Sequence, residues 1–118
     1  TRYSHRTKDS HLVEGLGLLA ETIHHEAIGE STKGKIAVAH VVLNRTQSKR
    51  FPDSICKVVY QKTYGFCQFS WVCNKPKIKP SVTTYSVAYQ VLDKQTQDPT
   101  KGALFFHAAS LESSFQRK

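Results

Sequence analysis

Lys33-Gly-Lys-Ile-Ala-Val-Ala-His-Val-Val-Leu-Asn-Arg-Thr-Gln47 is the stretch on which the fold turns. Between Ile36 and Leu43 its side chains are apolar except for His40. A helix that is apolar on every side is buried at the middle of a domain. The pattern therefore predicts a central helix over Lys33 to Gln47, with other helices packed around it. Ser31 or Thr32 is suited to cap its start. Inside it, His40 reads as a satisfied core histidine. Asn44 and Arg45 read as structural, with Arg45 bonding carbonyls at the helix end.

Upstream, Leu16, Leu19, Ala20, Ile23 and Ala27 recur at intervals of three and four, which predicts an amphipathic helix over Leu12 to Ile28 that stops at Gly29. At about 100° per residue, Glu21 and His25 fall opposite the apolar stripe, while Glu26 falls at its edge, half out of water. Downstream, Phe51-Pro52-Asp53-Ser54 reads as a turn, with Ser54 capping a short helix through Tyr60. Gln61 to Pro80 has no helical period and reads as a long loop, a feature that is usually functional in a compact domain. A last helix is expected over Ser81 to Thr96, with Val82, Tyr85, Ala88, Tyr89 and Leu92 on its buried stripe. Asp98-Pro99-Thr100 ends it, and Ala103 to Ala108 reads as a strand or an extended buried segment. The fold class is mainly α, a small single domain of four to five helices with a long irregular loop.

The chain has 118 residues, 39% apolar and 22% charged, an ordinary globular composition for one domain. No run approaches the ~18 apolar residues of a membrane span. The N-terminus is polar and basic without an apolar core behind it, so no secretory signal is expected, and the absence of Met suggests a trimmed chain. The net charge of +8 points to a polyanionic partner. Charge does not choose among nucleic acid, anionic lipid and a bacterial envelope. Lys75, Lys77 and Lys79 cluster around prolines and read as a solvated loop. No nucleic-acid motif is present, and the aromatics are not interleaved with basic residues as in a stacking platform. A non-enzymatic basic domain that binds nucleic acid or glycan is the rival reading.

Cys56, Cys67 and Cys73 leave one thiol over if a disulfide forms, and the short spacing favours Cys67 with Cys73. Three buried thiols is the alternative. Cys56 is expected as a free buried thiol in either case. The Cys-x5-Cys spacing is too long for a zinc knuckle. His24-His25-Glu26-Ala27-Ile28-Gly29-Glu30 is the densest polar cluster. A metalloprotease helix would need His-Glu-x-x-His, but Gly29 holds the last position, so neither metal nor other cofactor is expected. An acid-base reading needs a carboxylic acid whose pKa is raised by apolar neighbours. Glu26 at the stripe boundary fits that demand; an exposed helix glutamate or a lysine ion pair fits the pattern as well.

Further motifs follow in order: Glu26-Ala27-x-Gly29-Glu30, Ala37-Val38-Ala39, Val41-Val42-Leu43-Asn44-Arg45, Arg50-Phe51-Pro52, Val58-Val59-Tyr60-Gln61, Gln68-Phe69-Ser70-Trp71, and Asp98-Pro99-Thr100-x-Gly102-Ala103-Leu104-Phe105-Phe106. Together, over about residues 18 to 107, they resemble the cell wall hydrolase family of the spore cortex-lytic enzyme SleB. The resemblance implies a lysozyme-like α+β fold and a lytic transglycosylase or muramidase acting between N-acetylmuramic acid and N-acetylglucosamine. It implies Glu26 as the general acid/base. The cysteines around Gln68 to Trp71 are similar to versions from Gram-negative bacteria and their phages. The implied setting is the periplasmic wall, reached as a phage endolysin or an exported monomeric enzyme. The groove is expected from Tyr64, Phe69 and Trp71, with ring faces for sugars, and from Gln68 and Ser70, with hydrogen bonds, although a core place suits Phe69 and Trp71 equally. Glu30 is expected to position groups beside the site, Phe105 to be core, and Phe106 and His107 to reach the cleft from the other side.

Overall fold

The computed structural model describes residues 15–74 and 78–106, a mainly helical α+β domain. Helix α1 covers residues 15–26 of that part, followed by α2 (Thr32–Thr46), α3 (Ile55–Val59), the short strands β1 (Lys62–Thr63) and β2 (Phe66–Cys67), α4 (Ser70–Asn74) and α5 (Val82–Leu92). No helix among the described residues is long and apolar enough to cross a membrane.

The central helix forms where its composition demands. Ala37, Val38, Ala39, Val41 and Val42 are fully buried, and α2 packs against both α3 and α5. Leu19 and Ile23 of α1 and Ala27 just after it join Val38 and Val42 in one cluster with Val58, Val59, Phe69, Trp71, Val87 and Val91. Each large aliphatic side chain buried in this way contributes about 1.5–3 kcal/mol. The ends are set by local chemistry. Gly29 takes φ +82°, a left-handed conformation that stops α1. Ser31, Ser54 and Ser81 cap α2, α3 and α5 by accepting from the amides of Gly34, Lys57 and Thr84.

Three expectations are corrected. The segment from Gln61 to Pro80 is not a structureless loop. Thr63 and Phe66 pair across a two-residue Tyr64-Gly65 turn, a disulfide joins Cys67 to Cys73, and all of α4 but its last residue sits inside the ring that it closes. These elements are too short to give a period. The last helix ends at Leu92, and its buried face is Thr84, Val87, Ala88 and Val91. Val82 and Tyr89 are exposed instead. Ala88 is buried and Tyr85 and Leu92 pack against the core as expected, whereas Thr84, Val87 and Val91 fill the places expected of Val82 and Tyr89. Finally, Cys56 is free but exposed, because α3 turns Val58 and Val59 inward and leaves Cys56 on the outer side. Of the lysine cluster only Lys79 lies among the described residues, and it is exposed; Lys75 and Lys77 lie outside them.

Candidate active site

Glu26 is half-buried in the last turn of α1, one residue before buried Ala27 and beside the stripe of Leu19 and Ile23. Its neighbour His25 does not face solvent as the helical wheel suggested. The imidazole stacks on Trp71, with ring centroids 4.6 Å apart and planes within 14° of parallel. Trp71 is 3% exposed, and its indole Nε1 has no hydrogen-bond partner among the described residues. Shape and stacking, not a polar anchor, therefore hold it. Phe69 is also 3% exposed. The expectation that Phe69 and Trp71 offer ring faces to sugars is corrected, since the core covers both. Gln68 and Ser70 between and beside them stay exposed, with Gln68 Nε2 donating to Thr63 Oγ1 at 2.9 Å.

Arg45 is structural and bonds a carbonyl, as expected, but that carbonyl belongs to Leu104 rather than to the helix end. Its guanidinium is buried among three rings, 4.8 Å from the centroid of Phe51, 5.2 Å from Phe69 and 5.3 Å from Phe105, and its Nε donates to the Leu104 carbonyl at 2.8 Å. Burial pulls the Arg45 pKa below its ordinary value, and the negative charge of Glu26 opposes that fall. The surroundings of Glu26 thus include a buried cation and not only the apolar neighbours expected. A sequence signal existed, because Val38, Val42 and Arg45 lie at i, i+4 and i+7 and so share the inward face of α2.

Glu30 is half-buried at the entrance to α2. Gly34 leaves room for it: a Cβ at that position would come within 3.1 Å of Glu30 Cβ and 3.4 Å of its Oε1. A carboxylate there complements the positive end of the helix dipole, which is a positioning place rather than a second acid. Tyr64 is 95% exposed and Phe66 77% exposed on the hairpin. Phe105 is half-buried against Phe51 and Arg45, and Phe106 packs on the core cluster. That packing places Phe106 with the core more than with a cleft. His107 lies outside the described residues.

A second polar cluster closes the C-terminal segment onto α2. Asp98 accepts from Asn44 Nδ2 at 2.9 Å, from the amide and hydroxyl of Thr100 at 2.8 and 2.6 Å, and from the Gly102 amide at 2.9 Å. Burial would raise its pKa, but these hydrogen bonds outweigh burial and hold the carboxyl below the ordinary value. His40 Nε2 lies 2.8 Å from Thr96 Oγ1; burial lowers its pKa, with the charge of Asp98 opposing. Among the described residues no three His, Cys, Asp or Glu side chains are placed to hold a metal ion.

The sequence profile of the family described as Cell Wall Hydrolase matches residues 29–118. The spore cortex-lytic enzyme of Halalkalibacterium halodurans is 32% identical over 90 residues, covering 75% of this chain and 26% of that protein. The spore cortex-lytic enzyme of Bacillus subtilis is 43% identical over 44 residues, covering 37% of this chain and 14% of its own length. The chain therefore spans about a quarter or less of the length of these relatives. No solved structure matches it.

Proposed function

Since the chain belongs to the cell wall hydrolase family of the spore cortex-lytic enzymes, we propose that it cleaves peptidoglycan glycan strands between N-acetylmuramic acid and N-acetylglucosamine, with Glu26 as its one acid/base. The observation that carries this reading is the place of Glu26: a half-buried carboxylate at the end of α1, at the edge of the apolar core, whose charge acts on buried Arg45. The matched region begins at residue 29. The role of Glu26 therefore rests on its own motif and surroundings.

The reaction is that of a lytic transglycosylase. Glu26 in its acid form donates a proton to the glycosidic oxygen as the bond from the muramoyl C1 breaks. The carboxylate left behind takes the proton of the muramoyl C6 hydroxyl, whose oxygen closes on C1 to give a 1,6-anhydro end. One proton leaves Glu26 and one returns, so neither water nor a protein nucleophile enters. Two-carboxylate glycosidases need a second acid about 5–9.5 Å across the bond. Glu30, seated over the start of α2, serves the loop and helix dipole instead. Tyr64, Gln68 and Ser70, all exposed around the disulfide-closed ring, supply the sugar contacts, with Phe69 and Trp71 holding that wall from beneath. The domain acts as a monomer at the bacterial wall, and the disulfide suits an oxidising compartment such as a periplasm, reached by export or as a phage lysin.

Glu26→Gln is expected to lower lysis of purified sacculi by about 10²- to 10⁴-fold while the protein stays folded by circular dichroism. Undiminished lysis would overturn the assignment. Mass spectrometry of the released muropeptides tests the product: fragments lighter by one water than the hydrolytic ones support the transglycosylase, and hydrated ends would make the enzyme a muramidase.

A further inference from the structure

We infer that one face of the β1–β2 hairpin is a sugar platform that holds the glycan strand outside the cleavage site, made by the ring of Phe66 with Thr63 and Gln68 at its edge. The inference rests on peptidoglycan being the substrate, as proposed above. Thr63 pairs with Phe66 across the two-residue turn. Directly opposed residues of an antiparallel pair put their side chains on one face, with Cβ atoms about 4.5–5.5 Å apart. Gln68, two residues beyond Phe66, returns to that face, and its Nε2 donates across it to Thr63 Oγ1 at 2.9 Å. All three residues are exposed, Phe66 at 77%. A bare aromatic ring therefore sits beside a hydroxyl and a carboxamide.

That combination suits a pyranose, which has an apolar C–H face and a rim of hydroxyl and N-acetyl groups. Phe66 takes the face. The Thr63 hydroxyl, an acceptor toward Gln68, keeps its own O–H to donate, and the Gln68 carboxamide keeps its carbonyl to accept. A lipid surface suits this face less well, because it would strip water from the polar pair. The hairpin runs directly into the Cys67–Cys73 bridge and the buried rings of Phe69 and Trp71, and Trp71 stacks on His25, the residue before Glu26. The platform is thus tied through a few residues to the end of α1. Charge agrees with the same occupant. From Ser54 to Leu92 the sequence holds Lys57, Lys62, Lys75, Lys77 and Lys79 and no Asp or Glu. Lys57 is answered from outside that stretch by Asp53 at 3.6 Å, whereas Lys62 lies exposed in β1 itself. The peptide stems of a glycan strand bring carboxylates, so a strand laid along the hairpin meets a positive field.

Cosedimentation of the full chain with purified sacculi on ice reads binding apart from bond cleavage, for wild type, Phe66→Ala, Phe66→Trp and Lys62→Gln. An exposed ring can be removed without loss of core packing, and melting temperature checks that Phe66→Ala stays folded. Loss of one stacked ring should weaken binding by about fivefold, and Phe66→Trp, with a larger ring, should bind at least as well as wild type. Lys62→Gln should lose less, and its difference from wild type should vanish in ~1 M salt, where the Debye length falls to about 3 Å. Undiminished sedimentation of Phe66→Ala would overturn the inference, as would a wild type that does not sediment. Phosphatidylglycerol vesicles are the competing surface: if Phe66→Ala loses vesicle binding and keeps sacculus binding, the face belongs to a membrane and the sugar platform falls. Glu26→Gln keeps the two claims apart. Sacculi still digested by that variant refute the acid assignment and not the platform; an inactive Glu26→Gln together with undiminished binding by Phe66→Ala refutes the platform alone.

Discussion

The α1–α2–α5 layer and the segment from Gln61 to Asn74 keep their places by different means. In the helical layer every contact is one of many: Leu19, Ile23, Val38, Val42, Val87 and Val91 share one cluster, and the loss of any one leaves the others packed. The segment hangs on few anchors. Phe69 and Trp71 plug it into the core, the Cys67–Cys73 bridge closes its ring, and Tyr64 and Phe66 project from it into solvent. A region held at a few points can place exposed side chains firmly with little buried area of its own. It also concentrates the effect of substitution.

The largest test of that contrast is Trp71→Ala, which removes an anchor and the ring under His25 together. A loss of about 3–5 kcal/mol in denaturant unfolding is expected, with lysis lost in step. Trp71→Phe should cost much less, because among the described residues the indole Nε1 makes no hydrogen bond that phenylalanine would forfeit. Equal losses for the two variants would show that a polar anchor holds the segment after all.

The disulfide comes next. The bridge closes a ring over a sequence separation of 6 with Cα atoms 6.1 Å apart, and short rings bring the smaller entropic gains, about 2 kcal/mol. Cys67→Ser with Cys73→Ser should therefore lower lysis by a larger factor than its modest fall in melting temperature would suggest. Activity that tracks melting temperature alone would mean the ring has no part in placing the groove wall. Thiol counting under denaturing, non-reducing conditions should find one reactive thiol in wild type, that of Cys56.

The smallest effect separates placement from stability. Tyr64 occupies φ +53° beside Gly65 at +83°, a turn that favours Asn-Gly. Its exposed ring gains little packing to offset that conformation. Tyr64→Asn should raise stability by roughly a few tenths of a kcal/mol and still reduce lysis several-fold, measured on the same preparation. Full lysis by the variant would remove Tyr64 from the sugar contacts.

The sequence by itself determined the elements whose physics is local or periodic. An apolar run from Ile36 to Leu43 has nowhere to go but the centre of the domain, and Gly29, Ser31, Ser54 and Ser81 mark their helix ends through backbone chemistry that acts within four residues. The ordered motifs from Glu26 to Phe106 were enough to indicate the cell wall hydrolase family. Periodicity failed where elements were too short to show a period, as in the hairpin and α4, and succeeded only in part in α5, where Ala88 is buried as expected but Val82 and Tyr89 are exposed. It also could not say what lies across from a helix face. Stacking His25 on Trp71 joins positions 46 residues apart, and the influence of the Glu26 charge on Arg45 spans positions 19 apart. Only packing of the helices against α4 and the Leu104 segment brings those groups together, so the neighbours of Glu26 were decided by the tertiary structure alone.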